Sequence, residues 1–422
     1  MPADCRTRVK RSVAKVTNGG KTVDIFKLVI ILSLIVGVMK LKQPLYTAIA
    51  AGIMGTSVLY SIWPSQDLRI MGQSMISWDT KSLVLAFYTI TFLQRMLEER
   101  DHLVLAEKSL SGLFNSRRVN AMVAPFIMGL LPSAGAVLIA APIVDNAGGD
   151  YISKEDKTFI ASFYRHIPES FLPVYSTILL ALSLTKVDMT AFVLGMLPLV
   201  GLLFLLGYVF YVRKLPKETG FPQSEDKGQD VKNLIISLWP IALSIAIILI
   251  LKIPVYIAVL PIVLLSIFIN KFTLKEIMPM FVTALEMKLI LTTVVIMMFK
   301  DMLTYTGVIG RLPEQFAAFP VPIVVIFALI VFFGTLIVGA TAISALCLPL
   351  AFAAMPTGGV GLLIFLMSLS YIAMQISPTH ICLAIVTERF NTSMYDLVKS
   401  TLPILIIFTI ASSIYSYLLF LF

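Results

Sequence analysis

The sequence predicts an all-α polytopic membrane protein of about ten transmembrane helices plus two re-entrant hairpins, arranged as an inverted internal repeat. Three observations lead there. Hydrophobic residues make up 58% of the chain and charged residues 14%, with a mean hydropathy of +0.92, well outside the range of soluble domains. Apolar segments of spanning length recur from Val23–Leu41 to Leu402–Phe422. Finally, the stretch Val119–Asn146 carries no charge before Asp145 yet fits neither one crossing nor two. As one helix it would be about 42 Å long, against a hydrocarbon core of about 30 Å.

Taken in order, the basic tail 1–22 lacks an apolar core and a cleavage site, so it does not read as a signal peptide. Repeat 1, residues 23–212, opens with spans at Val23–Leu41, Leu45–Ile62 and Ser82–Leu97. The charged segment Glu98–Arg118 suits the interface. Hairpin 119–146 follows, turning at Pro132-Ser133-Ala134-Gly135, a helix breaker followed by small residues. A single tilted span with a proline kink is the alternative. Then come Lys157–Leu184, interrupted by polar residues and prolines, and Met189–Val212. Residues 213–232 are a polar linker. Repeat 2, residues 233–422, has spans Asn233–Leu251, Pro254–Ile269 and Ile277–Phe299, hairpin 321–355, then Leu362–Ile385 and Tyr395–Phe422.

The duplication is legible residue by residue. LKQPLYTAIA from Leu41 matches LKIPVYIAVL from Leu251, and FLQRML from Phe92 matches MFKDML from Met298. FLPVYSTILL from Phe171 matches ISPTHICLAI from Ile376; Pro142 matches Pro349, and Pro198 matches Pro403. The matched segments are always roughly 205 to 210 residues apart, a register that chance would not keep. Each half has five spans plus a hairpin, and the second hairpin, about 35 residues, could equally be two full spans; the count is odd both ways, so the halves insert in opposite senses. Placing hairpin 1 on the cytoplasmic side puts most Lys and Arg inside, although Arg6 to Lys27 then fall outside.

Candidate site residues cluster where prolines break the apolar helices. In SFYRHIPESFLPVYS, Arg165, His166 and Glu169 stand near Pro168 and Pro173. A charge at the centre of a spanning helix costs roughly 2.5–3.5 kcal/mol, so such groups pair or face a cavity. Arg165 and Glu169 are spaced i, i+4, allowing an intrahelical ion pair; Arg165 also offers an anion-attracting guanidinium. In AMQISPTHICLAI, Gln375, Ser377, Thr379 and His380 surround Pro378, where a break frees carbonyls and amides for a ligand. Hairpin 2 turns at Gly339-Ala340-Thr341, as small as Ser133 to Gly135; close helix packing is the alternative reading there. Sodium coordination is expected near Ser133, Thr341 and Ser377. Asp145, Asp188, Lys300 and Asp301 are read as solvated or paired near the interfaces, and Cys347 and Cys382 as small apolar fillers.

This arrangement of an inverted, duplicated five-span-plus-hairpin unit with broken helices resembles the ion transporter superfamily. Its divalent anion:sodium symporters carry Ser-Asn-Thr at each hairpin tip. Here only Ser133 and Thr341 match, and the asparagines are absent. More closely, residues 23–422 resemble the uncharacterised integral membrane family known as domain of unknown function 401. That resemblance implies no substrate; the wider superfamily implies carriage of carboxylates, arsenite or sodium by an elevator-like movement, often as homodimers.

The expected function is therefore a secondary active transporter: a cation-coupled carrier of small organic anions in the cell membrane, using sodium or protons and no cofactor. A sodium/proton antiporter, with Glu169 or His380 exchanging the proton, is the alternative. The pI near 9.3 reflects loop charges rather than nucleic-acid binding. HExxH, GxSxG, zinc spacings and a P-loop are all absent from the sequence, which disfavours an enzyme or an ATP-driven pump. Expected partners are an anionic small molecule, the bilayer and a second copy of the chain.

Overall fold

A computed structural model describes residues 23–114, 116–130, 136–217, 224, 226–316 and 320–421. Among these residues there are 20 α-helices and no strand, the all-helical membrane architecture that composition predicts. The first half contains α1 (Val23–Lys40), α2 (Leu45–Leu59), α3 (Pro64–Ile76), α4 (Trp78–Glu99) and α5 (His102–Leu113). It continues with α6 (Arg117–Met128), α7 (Ala136–Gly148), α8 (Lys154–His166), α9 (Ser176–Thr185) and α10 (Met189–Phe210). The second half contains α11 (Lys227–Leu251), α12 (Val255–Ile269), α13 (Leu274–Thr283), α14 (Met287–Tyr305) and α15 (Val308–Phe316). It ends with α16 (Ile323–Val338), α17 (Ala340–Ala354), α18 (Gly359–Met374), α19 (Ile381–Arg389) and α20 (Met394–Leu421).

Polar residues start these helices where the apolar runs begin. The Ser77, Ser116 and Ser153 hydroxyls accept from first-turn amides of α4, α6 and α8, and the Asp188 and Asp226 carboxylates cap α10 and α11. By length and composition, α10, α11 and the Met394–Leu419 part of α20 can each cross a bilayer alone. The expected span Ile277–Phe299 is instead divided between α13 and α14, which meet at a 43° bend. Large apolar side chains such as Phe268, Leu264, Ile406 and Ile410 face outward, as in a protein whose solvent on that face is lipid.

Both expected hairpins double back. Arg117, opening α6, donates from Nη1 to the Asn146 and Ala147 carbonyls at 3.0 and 3.1 Å, so the two ends of the first hairpin meet. In the second, an added Cβ on Gly334 would lie 2.3 Å from Ile343 Cδ1. Nine residues of continuous helix would hold those positions about 13.5 Å apart. The reversal occurs at Gly339, whose φ of +89° is open to glycine at little steric cost. A single tilted span is excluded for the first segment. The first tip, residues 131–135, lies outside the described residues, and so do Ser133 and Gly135.

Left-handed backbone positions fall in matched places. Lys42 and Lys252 have φ +59° and +51°, Ser61 and Lys271 +52° and +51°, and Asp101 and Gly307 +50° and +69°. Gly149 and Gly359 have +46° and +52°, and Lys186 and Asn391 +58° and +51°. Helix neighbours recur in the same way. α9 packs on α17 and α19 on α7, α14 on α2 and α4 on α12, α20 on α8 and α10 on α18.

Candidate functional site

Three interruptions of helical backbone bring the site together. α8 stops at His166 because Pro168 withholds an amide; a 3-10 turn, Ile167–Ser170, leads past Pro173 to α9. α18 stops at Met374, and the irregular stretch around Pro378 leads to α19. The third interruption is the turn at Gly339. Where they converge lies a cavity of about 420 Å³, bounded on another side by Met39 and Leu45 of α1 and α2.

Arg165 occupies the last turn of α8 and is 1% exposed. Its Nη1 donates to Glu169 Oε1 at 2.5 Å, the i, i+4 ion pair expected from spacing, and both residues line the cavity. Gly129, at the end of α6, lies so close to this break that an added Cβ would sit 2.0 Å from the Arg165 carbonyl oxygen. The Tyr175 hydroxyl donates to the Gly129 carbonyl at 2.5 Å. The first hairpin is thereby seated on the Arg165 backbone.

Hydroxyls join the two halves. Thr177 Oγ1 and Thr341 Oγ1 are 2.7 Å apart, linking α9 to the second hairpin. Ser377 donates to the Leu336 carbonyl at 3.1 Å and lies 2.8 Å from Thr379 Oγ1. The first turns of α9 (Ser176, Thr177), α17 (Ala340, Thr341) and α19 (Ile381, Cys382) all border the cavity or adjoin residues that do. None of the three has a side-chain cap, so three positive helix ends converge here. The C-terminal ends of α16 (Val338) and α18 (Met374) contribute the opposite polarity. An inner lobe of about 30 Å³ is lined by Glu169, Ser170, Thr177, Ser370 and Tyr371. Among the described residues the buried Tyr371 hydroxyl has no partner.

His166 is fully buried behind the cavity wall. Its Nδ1 lies 2.6 Å from the Ser162 carbonyl, which can only accept, so Nδ1 carries the proton and the neutral ring presents a lone pair at Nε2. His380, on the wall, donates to it from Nε2 at 2.9 Å. Thr341, Ser377, Thr379, Gly339, Arg165, Glu169 and His380 thus line the cavity, while His166 reaches it only through His380. Gln375 is 2% exposed and is not part of the cavity lining.

Tyr175, Ser176, Thr177, Thr335 and Cys382 also line the cavity and were not legible as site residues. The register of the expected repeat carried a signal for some of them, since it sets Tyr175 against His380 and Thr177 against Cys382. Cys382 is therefore a wall residue rather than a filler, whereas Cys347 is packed in the core. Asp145 pairs with Lys157 at 2.8 Å, Asp188 with Lys252 at 3.7 Å and Lys300 with Asp301 at 3.5 Å.

The family described as Protein of unknown function (DUF401) matches residues 24–419. This chain belongs to that family. No curated protein matches it. The crystal structure of the Alcanivorax borkumensis YdaH transporter, a structure with "an unusual topology", is similar in fold to this DUF401 protein. The TM-score is 0.59 at 14% identity, over 83% of this chain and 85% of that one. The likeness is one of fold.

Proposed function

We propose that this DUF401 protein is a secondary active transporter that carries small organic anions with a coupling cation across the cell membrane, as a homodimer. The observation that carries the reading is the convergence of three uncapped helix N-termini and Arg165 on one cavity. Such ends attract anionic groups within a turn of the helix, and secondary transporters place them at broken helices. A cavity of about 420 Å³ has room for a small carboxylate with some of its water. The coupling cation is assigned to the inner lobe, where Glu169 and the Ser170, Thr177, Ser370 and Tyr371 hydroxyls supply hard oxygen ligands and the volume suits one small ion. Sodium fits that donor set. Glu169 faces this lobe while it accepts from Arg165 through Oε1. The fold shared with a transporter supports the same reading.

Residues 23–212 and 233–422 form inverted repeats in this proposal. The support is the recurrence of left-handed residues and helix neighbours at the register read from the sequence. Among the described residues only Gly339 lacks a left-handed counterpart, and its counterpart falls near the first hairpin tip, outside them.

The test is thermal stabilisation of the purified protein by a panel of small carboxylates, with and without sodium, followed by uptake into proteoliposomes. A ligand that binds only the folded state raises the midpoint. Sodium-dependent stabilisation by at least one carboxylate is expected, lost in Thr341→Trp, which fills the cavity. Stabilisation by neutral or cationic solutes alone overturns the anion reading.

A further inference from the structure

One ring nitrogen each from His166 and His380 and the Cys382 sulfur lie within 4.8 Å of one another. His380 is the N-cap of α19 and Cys382 belongs to its first turn, while His166 ends α8. Two donors separated by one residue at one break thus meet a third donor from the other break. No function assigned to the cavity above uses this triad as a unit.

We propose that His166, His380 and Cys382 bind a zinc-class divalent metal ion whose fourth position opens on the cavity. Two imidazoles and a thiolate form a borderline-soft donor set, suited to zinc and unsuited to sodium, magnesium or calcium. Outer contacts are already in place. The Ser162 carbonyl holds the proton of His166 on Nδ1, which aims the Nε2 lone pair at the site, as a carbonyl behind a metal-binding histidine does. His166 is enclosed by protein, whereas His380 and Cys382 stand on the cavity wall, so the open coordination position faces the cavity.

Binding requires only small movements. The two Nε2 atoms are 2.9 Å apart, and tetrahedral zinc with bonds of about 2.0–2.1 Å needs them at about 3.3 Å. Rotation of the His380 ring supplies the difference. On binding, the proton that His380 now donates from Nε2 is replaced by one on Nδ1, so the ring stays neutral. The Cys382 thiol loses its proton to solvent, giving one proton released per metal ion. Two neutral imidazoles and one thiolate leave the ion with one net positive charge, and Arg165 and Glu169 cancel each other nearby. The fourth ligand is therefore an anion or water entering from the cavity.

The site stands on donor geometry alone, and its test measures metal rather than uptake. Its failure therefore leaves the anion-carrier proposal intact. Full-length protein in detergent is stripped with a chelator, loaded with zinc chloride and desalted before elemental analysis, in a Cys5→Ser background. Expected are one zinc per chain, no retained magnesium, and one proton released per zinc into an indicator dye. Cobalt chloride in place of zinc should give a thiolate-to-cobalt charge-transfer band that disappears in Cys382→Ser. His380→Gln should weaken zinc by more than the roughly 10- to 100-fold lost with an outer-shell partner. Zinc should also slow alkylation of Cys382 in the otherwise unmodified protein, a measurement that does not depend on any site variant folding. Wild-type protein that retains no zinc, or an alkylation rate unchanged by zinc, overturns the proposal. So does a charge-transfer band that persists in Cys382→Ser.

Discussion

The most demanding consequence of the site concerns the Arg165–Glu169 pair. Arg165 is 1% exposed and the Glu169 side chain 11%, so neither charge has enough water to be solvated alone. Glu169→Leu leaves the guanidinium buried without its carboxylate, a loss of about 3–5 kcal/mol for a buried pair broken on one side. Glu169→Gln keeps an acceptor within reach and should lose less, about 1.5–3 kcal/mol, the range for a hydrogen bond to a charged group. The double variant Arg165→Met, Glu169→Leu removes both desolvation costs and should return to within about 1 kcal/mol of wild type, because apolar replacement of a buried pair is often neutral. The assay is unfolding by denaturant in mixed micelles, read as a double-mutant cycle. Carboxylate-induced stabilisation should vanish in the double variant even though its fold is restored. If Glu169→Leu unfolds within about 0.5 kcal/mol of wild type, the cost of a surface change, the pair is not desolvated and the reasoning fails.

Three further outcomes follow from named contacts. Gly129→Ala places a Cβ 2.0 Å from the Arg165 carbonyl and should lower the thermal midpoint and carboxylate affinity together, whereas Gly201→Ala, with nothing within 4 Å, should be tolerated. Glu276 caps α13, just before the apolar run from Ile277, and its two oxygens pair with Arg100 at 2.9 and 3.3 Å. Arg100 and the Thr273 amide and hydroxyl hold its pKa down at about 2, from 4.5. A carboxylate with a depressed folded pKa stabilises above its unfolded value and ceases to do so as pH falls through the folded one. The difference in midpoint between wild type and Glu276→Gln should therefore be full at pH 6 and shrink from about pH 4.5 toward about pH 2. For topology, cysteines placed at Lys108 and Gly228 should label from the cytoplasmic side and one at Gly310 from outside; labelling of Gly228 and Gly310 from the same side rejects the inverted arrangement.

Much of the fold was legible because its determinants are local. A stretch too long for one crossing and too short for two, with small residues at its middle, specifies a hairpin whichever side it enters from. Pro168, Pro173 and Pro378 mark helix breaks by the amides they lack, and i, i+4 spacing pairs Arg165 with Glu169. What stayed hidden depends on tertiary approach. His166 and His380 are 214 residues apart in sequence, and Thr177 and Thr341 are 164 apart. No local pattern brings them together. Gly129 reads as an ordinary helix end until the Arg165 carbonyl is placed against it. Gln375 carries the same polarity as Ser377, yet it is buried outside the cavity lining.

The charges of the proposed site also explain why substrate and cation should travel together. Moving an uncompensated charge through a low-dielectric interior costs several kcal/mol after relaxation. With Arg165 and Glu169 paired, the charged side chains described around the cavity sum to zero. An anion at the three helix N-termini adds a negative charge that the helix ends offset only in part, since those ends of about half a charge each are opposed by the C-terminal ends of α16 and α18 and all fall off within one turn. A cation in the inner lobe restores the balance. The lobe adjoins the anion cavity and shares Glu169, Tyr175 and Thr177 with it. In the proposed carrier, the neutral unloaded and doubly loaded states would cross the membrane, while the singly loaded state would be held back. On this account coupling needs no separate gate. It would arise because, among the described residues, the charged side chains lining the cavity, Arg165 and Glu169, already neutralise each other.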